Sequence, residues 1–186
     1  MPRNVLIMDV LDSLLDALFR LVVGRGDLAP SLRALAADAG MSPAGVVHHF
    51  GSRQHALHLA VARWSKQRAE DLPWVGGPED LVRLLPERED QVHDAAFDLA
   101  LVAMGRGDEG IARSMAELRR ARRLRLQRAV PHLDDAWLDL VVAALDGLLL
   151  ARSLPGDPLK AEWARAALAR LLELLPSEPS ERAPAS

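Results

Sequence analysis

The side chains best suited to chemistry in this 186-residue sequence are its histidines and arginines. His55 and His58 stand three apart, so one helical face could present both to a metal ion. A zinc site needs three or four protein ligands, and no further histidine or carboxylate follows at a matching interval. Ordinary surface histidines and no metal are therefore expected. His48 and His49 are adjacent, and neighbours in a helix diverge, which suits phosphate contact or packing better than shared coordination. Arg113, Arg119, Arg120, Arg122, Arg123, Arg125 and Arg128 make one segment strongly basic. Helical spacing spreads them around the axis, as in a solvated face whose heads pair with acids, more than along one nucleic-acid stripe. There is no cysteine, hence no thiolate nucleophile or disulfide. No G-x-S-x-G elbow occurs, and Gly76-Gly77-Pro78 and Gly105-Arg106-Gly107 follow no strand that would make them phosphate-cradling loops. Neither an enzyme nor a bound cofactor is expected.

These groups must be positioned by helices. The chain is 49% hydrophobic but only 4% aromatic, rich in Leu, Ala and Arg, and lacks alternating β-branched runs. An all-α fold with a sizeable core follows. The net charge of −3 argues against wholesale coating of nucleic acid while leaving room for a local basic surface. Asp9, Asp12 and Asp16 interrupt the first apolar stretch, so no secretory signal is expected there. Leu138–Leu154 is the most apolar segment, yet it carries Asp139, Asp146 and Arg152 and is too short to span a bilayer. A soluble protein of the cytoplasm, without membrane contact, is the expectation.

Breakers divide the sequence into about nine helical stretches. The first spans roughly Val5–Val23, with Leu11, Leu14, Leu15, Leu18, Phe19 and Val22 at helical spacing, and ends at Gly24 and Gly26. Ser31 caps Leu32–Ala39, Gly40 stops it, and Ser42 caps a third helix with Pro43 in its first turn. Ser52 caps Arg53–Glu70. Then follow a short helix over Pro78–Leu85, one over Glu87–Gly105 with Val92, Ala96, Leu99 and Ala103 on one face, and one over Glu109–Ala129. Asp134 caps a helix through Leu154, and Asp157 with Pro158 opens a last helix to Leu175. The Pro-, Ser- and Glu-rich segment 176–186 reads as a disordered tail.

The most informative stretch is Ser31–Phe50. Two short helices joined by Ala39-Gly40-Met41-Ser42 carry Leu32, Leu35, Ala36, Ala39, Met41, Val46 and Phe50 at spacings that pack both against the first helix. Such a pair holds its second helix outward, in the manner of a helix-turn-helix entering a major groove.

The run Leu18-Phe19, Ser31-Leu32-Arg33-Ala34-Leu35-Ala36, Gly40-Met41-Ser42-Pro43, His48-His49-Phe50-Gly51-Ser52-Arg53 and Ala56-Leu57 resembles the TetR family of transcriptional regulators, without a gap from Leu18 to Leu57. The resemblance implies a three-helix DNA-binding domain over 1–52 and a ligand-binding and dimerisation domain over 53–175, with 53–70 as connecting helix. It places Ser42, Pro43, Ala44, Val47 and His48 on the groove-facing side of the recognition helix. Ser31 and Arg33 then lie near phosphate, His49 faces phosphate or packs, and Arg53 is the basic residue opening the fourth helix. By the same resemblance a small apolar effector would sit among Phe97, Met104, Met115 and Trp137, with His93, Asp98 or Asp146 as polar anchors and Trp74 nearby.

Leu138–Leu150 is apolar nearly all round, and Trp163, Ala167, Leu171, Leu174 and Leu175 give the last helix a similar surface. Two such hairpins about a twofold axis would form an intersubunit four-helix bundle over about 134–175. Asp146, within that apolar helix, requires a partner, with Arg152 or an arginine across the dimer as the expectation. The expected function is a ligand-responsive, dimeric repressor of a palindromic operator. The alternative is a TetR-like protein whose degenerate head leaves it to act through ligand or protein partners. Asp9, Asp12, Asp16 and Gly45 motivate it, as does a net charge of only +1 over Met1–Trp64, from six arginines and five aspartates.

Overall fold

The computed structural model describes residues 3–154, 156 and 158–176, with residues 3–7 described by backbone alone. Among these residues every regular element is helical: α1 (Arg3–Phe19), α2 (Leu32–Asp38), α3 (Pro43–Phe50), α4 (Arg53–Glu70), α5 (Glu89–Gly105), α6 (Glu109–Ala129), α7 (Asp135–Arg152) and α8 (Ala161–Glu173). A π-helical turn, Arg20–Gly24, continues α1, and a 3-10 segment, Pro78–Leu84, precedes α5.

Packing separates two units. The first takes in the chain up to Glu70 together with Phe97–Leu118; the second holds Asp71–Ala96 and the chain from Arg119 onward. In the first, Leu14, Leu18 and Leu21 are buried with Leu35, Ala36, Val46 and Phe50 of the two short helices, and with Ala56, Leu57 and Val61 of α4. Phe97, Leu101, Ile111, Met115 and Leu118 complete that core. In the second, Leu81 and Leu85 pack with Leu126, Val130, Leu138, Val141, Val142, Ala164 and Leu168.

Local chemistry sets the helix ends. The hydroxyls of Ser31, Ser42 and Ser52 accept from the backbone N–H of Ala34, Gly45 and His55, at 3.1, 3.0 and 3.1 Å, and Asp134 does the same for Trp137. Each such cap contributes about 1 kcal/mol. At the end of α2, Met41 N–H donates to Ala36 and Gly40 N–H to Ala37, with Gly40 at φ +69°. This is a Schellman closure, and it turns the chain into α3 within three residues.

Three expectations require correction. The fifth helix starts at Glu89, because the Gln91 amide oxygen accepts from the N–H groups of Glu87 and Arg88 and so caps the helix from within. Its buried residues in the first unit are Phe97, Asp98 and Leu101, whereas Leu99 is half-buried and Ala103 exposed. The last helix starts at Ala161 with Lys160 as N-cap. Leu159 is held outside it, donating to the Ala151 carbonyl while its own carbonyl accepts from Arg152. Pro158 is accordingly not helical, and Asp157 and the tail over 177–186 lie outside the described residues.

Candidate nucleic-acid interface and effector site

The head is assembled from α1 to α4. Val46 and Phe50 anchor α3 inward, so the residues at the opposite angle of the helix must face out. Pro43, Ala44, Val47, His48 and His49 are all exposed, Val47 by 41%. Ala44, Val47 and His48 stand at i, i+3 and i+4 and form one strip. The two imidazoles lie edge-on, 5.4 Å between centroids. Ser31 and Ser42 are also exposed, but their oxygens are engaged as helix caps. A Cβ at Gly45 would approach the capping Ser42 hydroxyl to 3.2 Å, yet Ala34 and His55 hold the same position behind Ser31 and Ser52, so the cap does not account for this glycine.

Most of the head's arginines are committed within the chain. Arg20 donates to the Asp38 carboxylate at 2.7 Å and to its backbone carbonyl at 2.9 Å, and Arg25 joins the same carboxylate. Arg63 of α4 grips Asp12 of α1 through two hydrogen bonds, its Nη2 donating to Oδ2 at 2.9 Å, and hydrogen bonding to Asp12 raises the Arg63 pKa. Asp12 thus clamps α1 to α4. Arg53 donates from Nε to the Pro30 carbonyl at 2.7 Å, fixing the start of α4 beside the entrance to α2. Arg33 is exposed on α2 and has no internal partner among the described residues.

His58 does not pair with His55. Its Nε2 lies 2.6 Å from Asp108 Oδ1, and that carboxylate also accepts from the N–H groups of Gly110 and Ile111, capping α6. A Cβ on Gly110 would come within 2.5 Å of the His58 ring, so the histidine fills the space left by this glycine. Burial alone would raise the Asp108 pKa; the Ile111 N–H, His58 and the Gly110 N–H outweigh it and hold the carboxyl below its ordinary value. His55 is exposed in the first turn of α4. Among the described residues no cluster of three His, Asp or Glu is placed to hold a metal ion.

The residues assigned to an effector fall in both units. Phe97, Met104 and Met115 belong to the first core, where Phe97 packs 5.0 Å from the rings of both Phe19 and Trp64. Beside this aromatic group Asp98, only 4% exposed, accepts from Trp64 Nε1 at 2.7 Å and from Arg68 Nη2 at 3.4 Å. Arg68 also lies over the Trp64 ring. In the second unit His93 is exposed, Trp137 packs on the second core, and Asp146 meets Arg119 at 3.8 Å. Arg152 is not the Asp146 partner expected from the sequence; its guanidinium is tied to the carbonyls of Pro86 and Leu159. Trp74, in the second unit, is 69% exposed. In the arginine-rich helix, Arg123 bridges Asp135 and Asp139. That pairing is the one expected of a solvated face.

The fold is that of the TetR family of transcriptional regulators. A transcriptional regulator from Rhodococcus sp. Rha1 superposes with a TM-score of 0.74 at 21% identity, over 88% of this chain and 94% of that one. A Rhodococcus sp. protein assigned to the TetR family gives 0.72 at 20% identity, over 88% and 97% of the two chains. The multidrug binding protein EbrR, in complex with malachite green, gives 0.66 at 23% identity, over 87% and 96%. In sequence the chain is 29% identical, over 166 residues, to the HTH-type transcriptional regulator BetI of Rhizobium meliloti (strain 1021), with 81% of each covered. No family-level profile matches the chain. Among the described residues no helix is long and apolar enough to cross a membrane.

Proposed function

We propose that this chain is a TetR-type transcriptional regulator, a dimer that binds a palindromic operator and is released from it by a small apolar effector. The observation that carries the reading is the pair α2 and α3. It is closed by a Schellman turn at Gly40 and presents Ala44, Val47 and His48 outward from a buried Val46–Phe50 anchor. A helix so held is shaped for a major groove, with Ser31, Arg33, Ser42, Pro43, His49 and Arg53 around it for phosphate and positioning contacts. The likeness to BetI and to the Rhodococcus regulators supports the same assignment.

Dimerisation is supported by an apolar stripe on α7. Leu140, Ala143, Gly147 and Leu150 are exposed at alternating intervals of three and four. On α8, Trp163 and Ala167 are likewise exposed. A stripe of this kind fits a second copy of the same two helices. The effector role rests on resemblance and on EbrR, whose complexes hold malachite green, proflavin and ethidium. Phe97, Met104 and Met115 are the residues we assign to it in the first unit, with His93, Trp137 and Asp146 assigned in the second. An effector acts only by binding one arrangement of the protein better than another.

A second reading has one observation in its favour. With Arg20, Arg25 and Arg63 paired internally, the head has little uncommitted positive charge, as in a protein that acts through ligand or protein partners alone. Retention of mixed duplex DNA by the wild-type chain and by Arg33→Ala separates the two. Loss of one phosphate contact per subunit predicts weaker retention by the variant and a salt dependence shallower by about two contacts per dimer. Equal, negligible retention by both proteins would establish the partner-only reading.

A further inference from the structure

The outer strip of α3 lacks the side chains that most often read bases. Guanine is most often recognised by Arg or Lys and adenine by Asn or Gln, through paired hydrogen bonds. Helix α3, Pro43-Ala44-Gly45-Val46-Val47-His48-His49-Phe50, contains none of these. What it presents instead is apolar: Pro43, Ala44 and a 41% exposed Val47. Ser42 has its hydroxyl oxygen engaged by the Gly45 N–H, and a single remaining O–H discriminates bases poorly. His48 is the one polar group on the strip, and His49 lies on its far flank.

Apolar side chains do have a partner in the major groove, the 5-methyl group of thymine. We propose that this head selects its operator chiefly by thymine methyl groups, contacted by Ala44 and Val47, with His48 supplying one hydrogen bond beside them. The inference rests on the DNA-binding reading given above. Ala44 and Val47 are three residues apart, about 4.5 Å along the axis, of the order of the ~3.4 Å spacing of successive base pairs. Each half-site should therefore carry thymines at neighbouring base pairs. Val47, otherwise an exposed valine with no packing role, gains an apolar neighbour in this arrangement.

The test replaces thymine by deoxyuracil, which pairs identically and lacks only the methyl group. Operators are first recovered from random duplexes by the purified full chain, and affinities are then measured by fluorescence anisotropy. Deoxyuracil at the two half-site thymines should weaken binding about fourfold each, the worth of one buried methyl group. The same replacement in flanking sequence should change nothing. In Val47→Ala, whose side chain is exposed and outside the core, one of the two penalties should shrink. A selective operator without neighbouring thymines, or one indifferent to deoxyuracil, would overturn the inference and leave the DNA-binding reading standing. Recovery of no selective operator would overturn both.

Discussion

Asp108 shows how much one carboxylate can organise here. It caps α6 through Gly110 and Ile111, receives His58 from α4, and stands beside a glycine whose missing Cβ the His58 ring occupies. Because these groups hold its pKa below the ordinary carboxylate value, its contribution to stability is fully present at neutral pH. It is lost as the pH falls from the unfolded value of about 4 through the lower folded one. Asp108→Ala should then cost about 1–2 kcal/mol at pH 7, from a lost cap and a lost hydrogen bond. Urea unfolding of wild type and variant should converge towards pH 3; a constant difference across that range would contradict this role. Ser31, Ser42, Ser52 and Gly40 were legible in the sequence because their work is local, within three or four residues of themselves. Asp12, Asp98 and Asp108 were not, since Arg63, Trp64 and His58 lie 51, 34 and 50 residues away. Asp12 in particular counted among the acids that motivated the degenerate-head alternative, and it proves to be a clamp between α1 and α4.

At the scale of elements, apolar periodicity located the helices and capping chemistry located most of their ends. It failed where an unforeseen side chain takes over an end, as Gln91, inside α5, does at the start of that helix and as Arg152 does at Leu159. Periodicity also misplaced the inner face of α5, since an inward Asp98 is invisible to an apolar pattern. For α7 the same reasoning yields a testable surface. Leu140 and Leu150 are 46% and 50% exposed, so a charge at either does not enter the chain's own core. Leu140→Glu combined with Leu150→Glu should leave helicity unchanged by circular dichroism and convert a dimer to a monomer in light scattering, because like charges would face across the twofold axis. A dimer that survives both substitutions would place the interface elsewhere.

For the whole molecule, the TetR fold was readable from the combined motif over Leu18–Leu57, and the structure bears it out. The division of labour within α5 and α6, each contributing to both units, was not. It depends on which length of a continuous helix each core claims, and that is a property of packing. We propose that this molecule reads DNA sequence as a twofold dimer. Selection of random duplexes by the purified chain at about 50 mM and then 200 mM salt tests it most directly, because phosphate-driven binding fades over that range while specific binding persists. The expected result is a palindrome, its half-sites about one helical turn apart, still enriched at the higher salt. Enrichment of no sequence at either salt would contradict the claim.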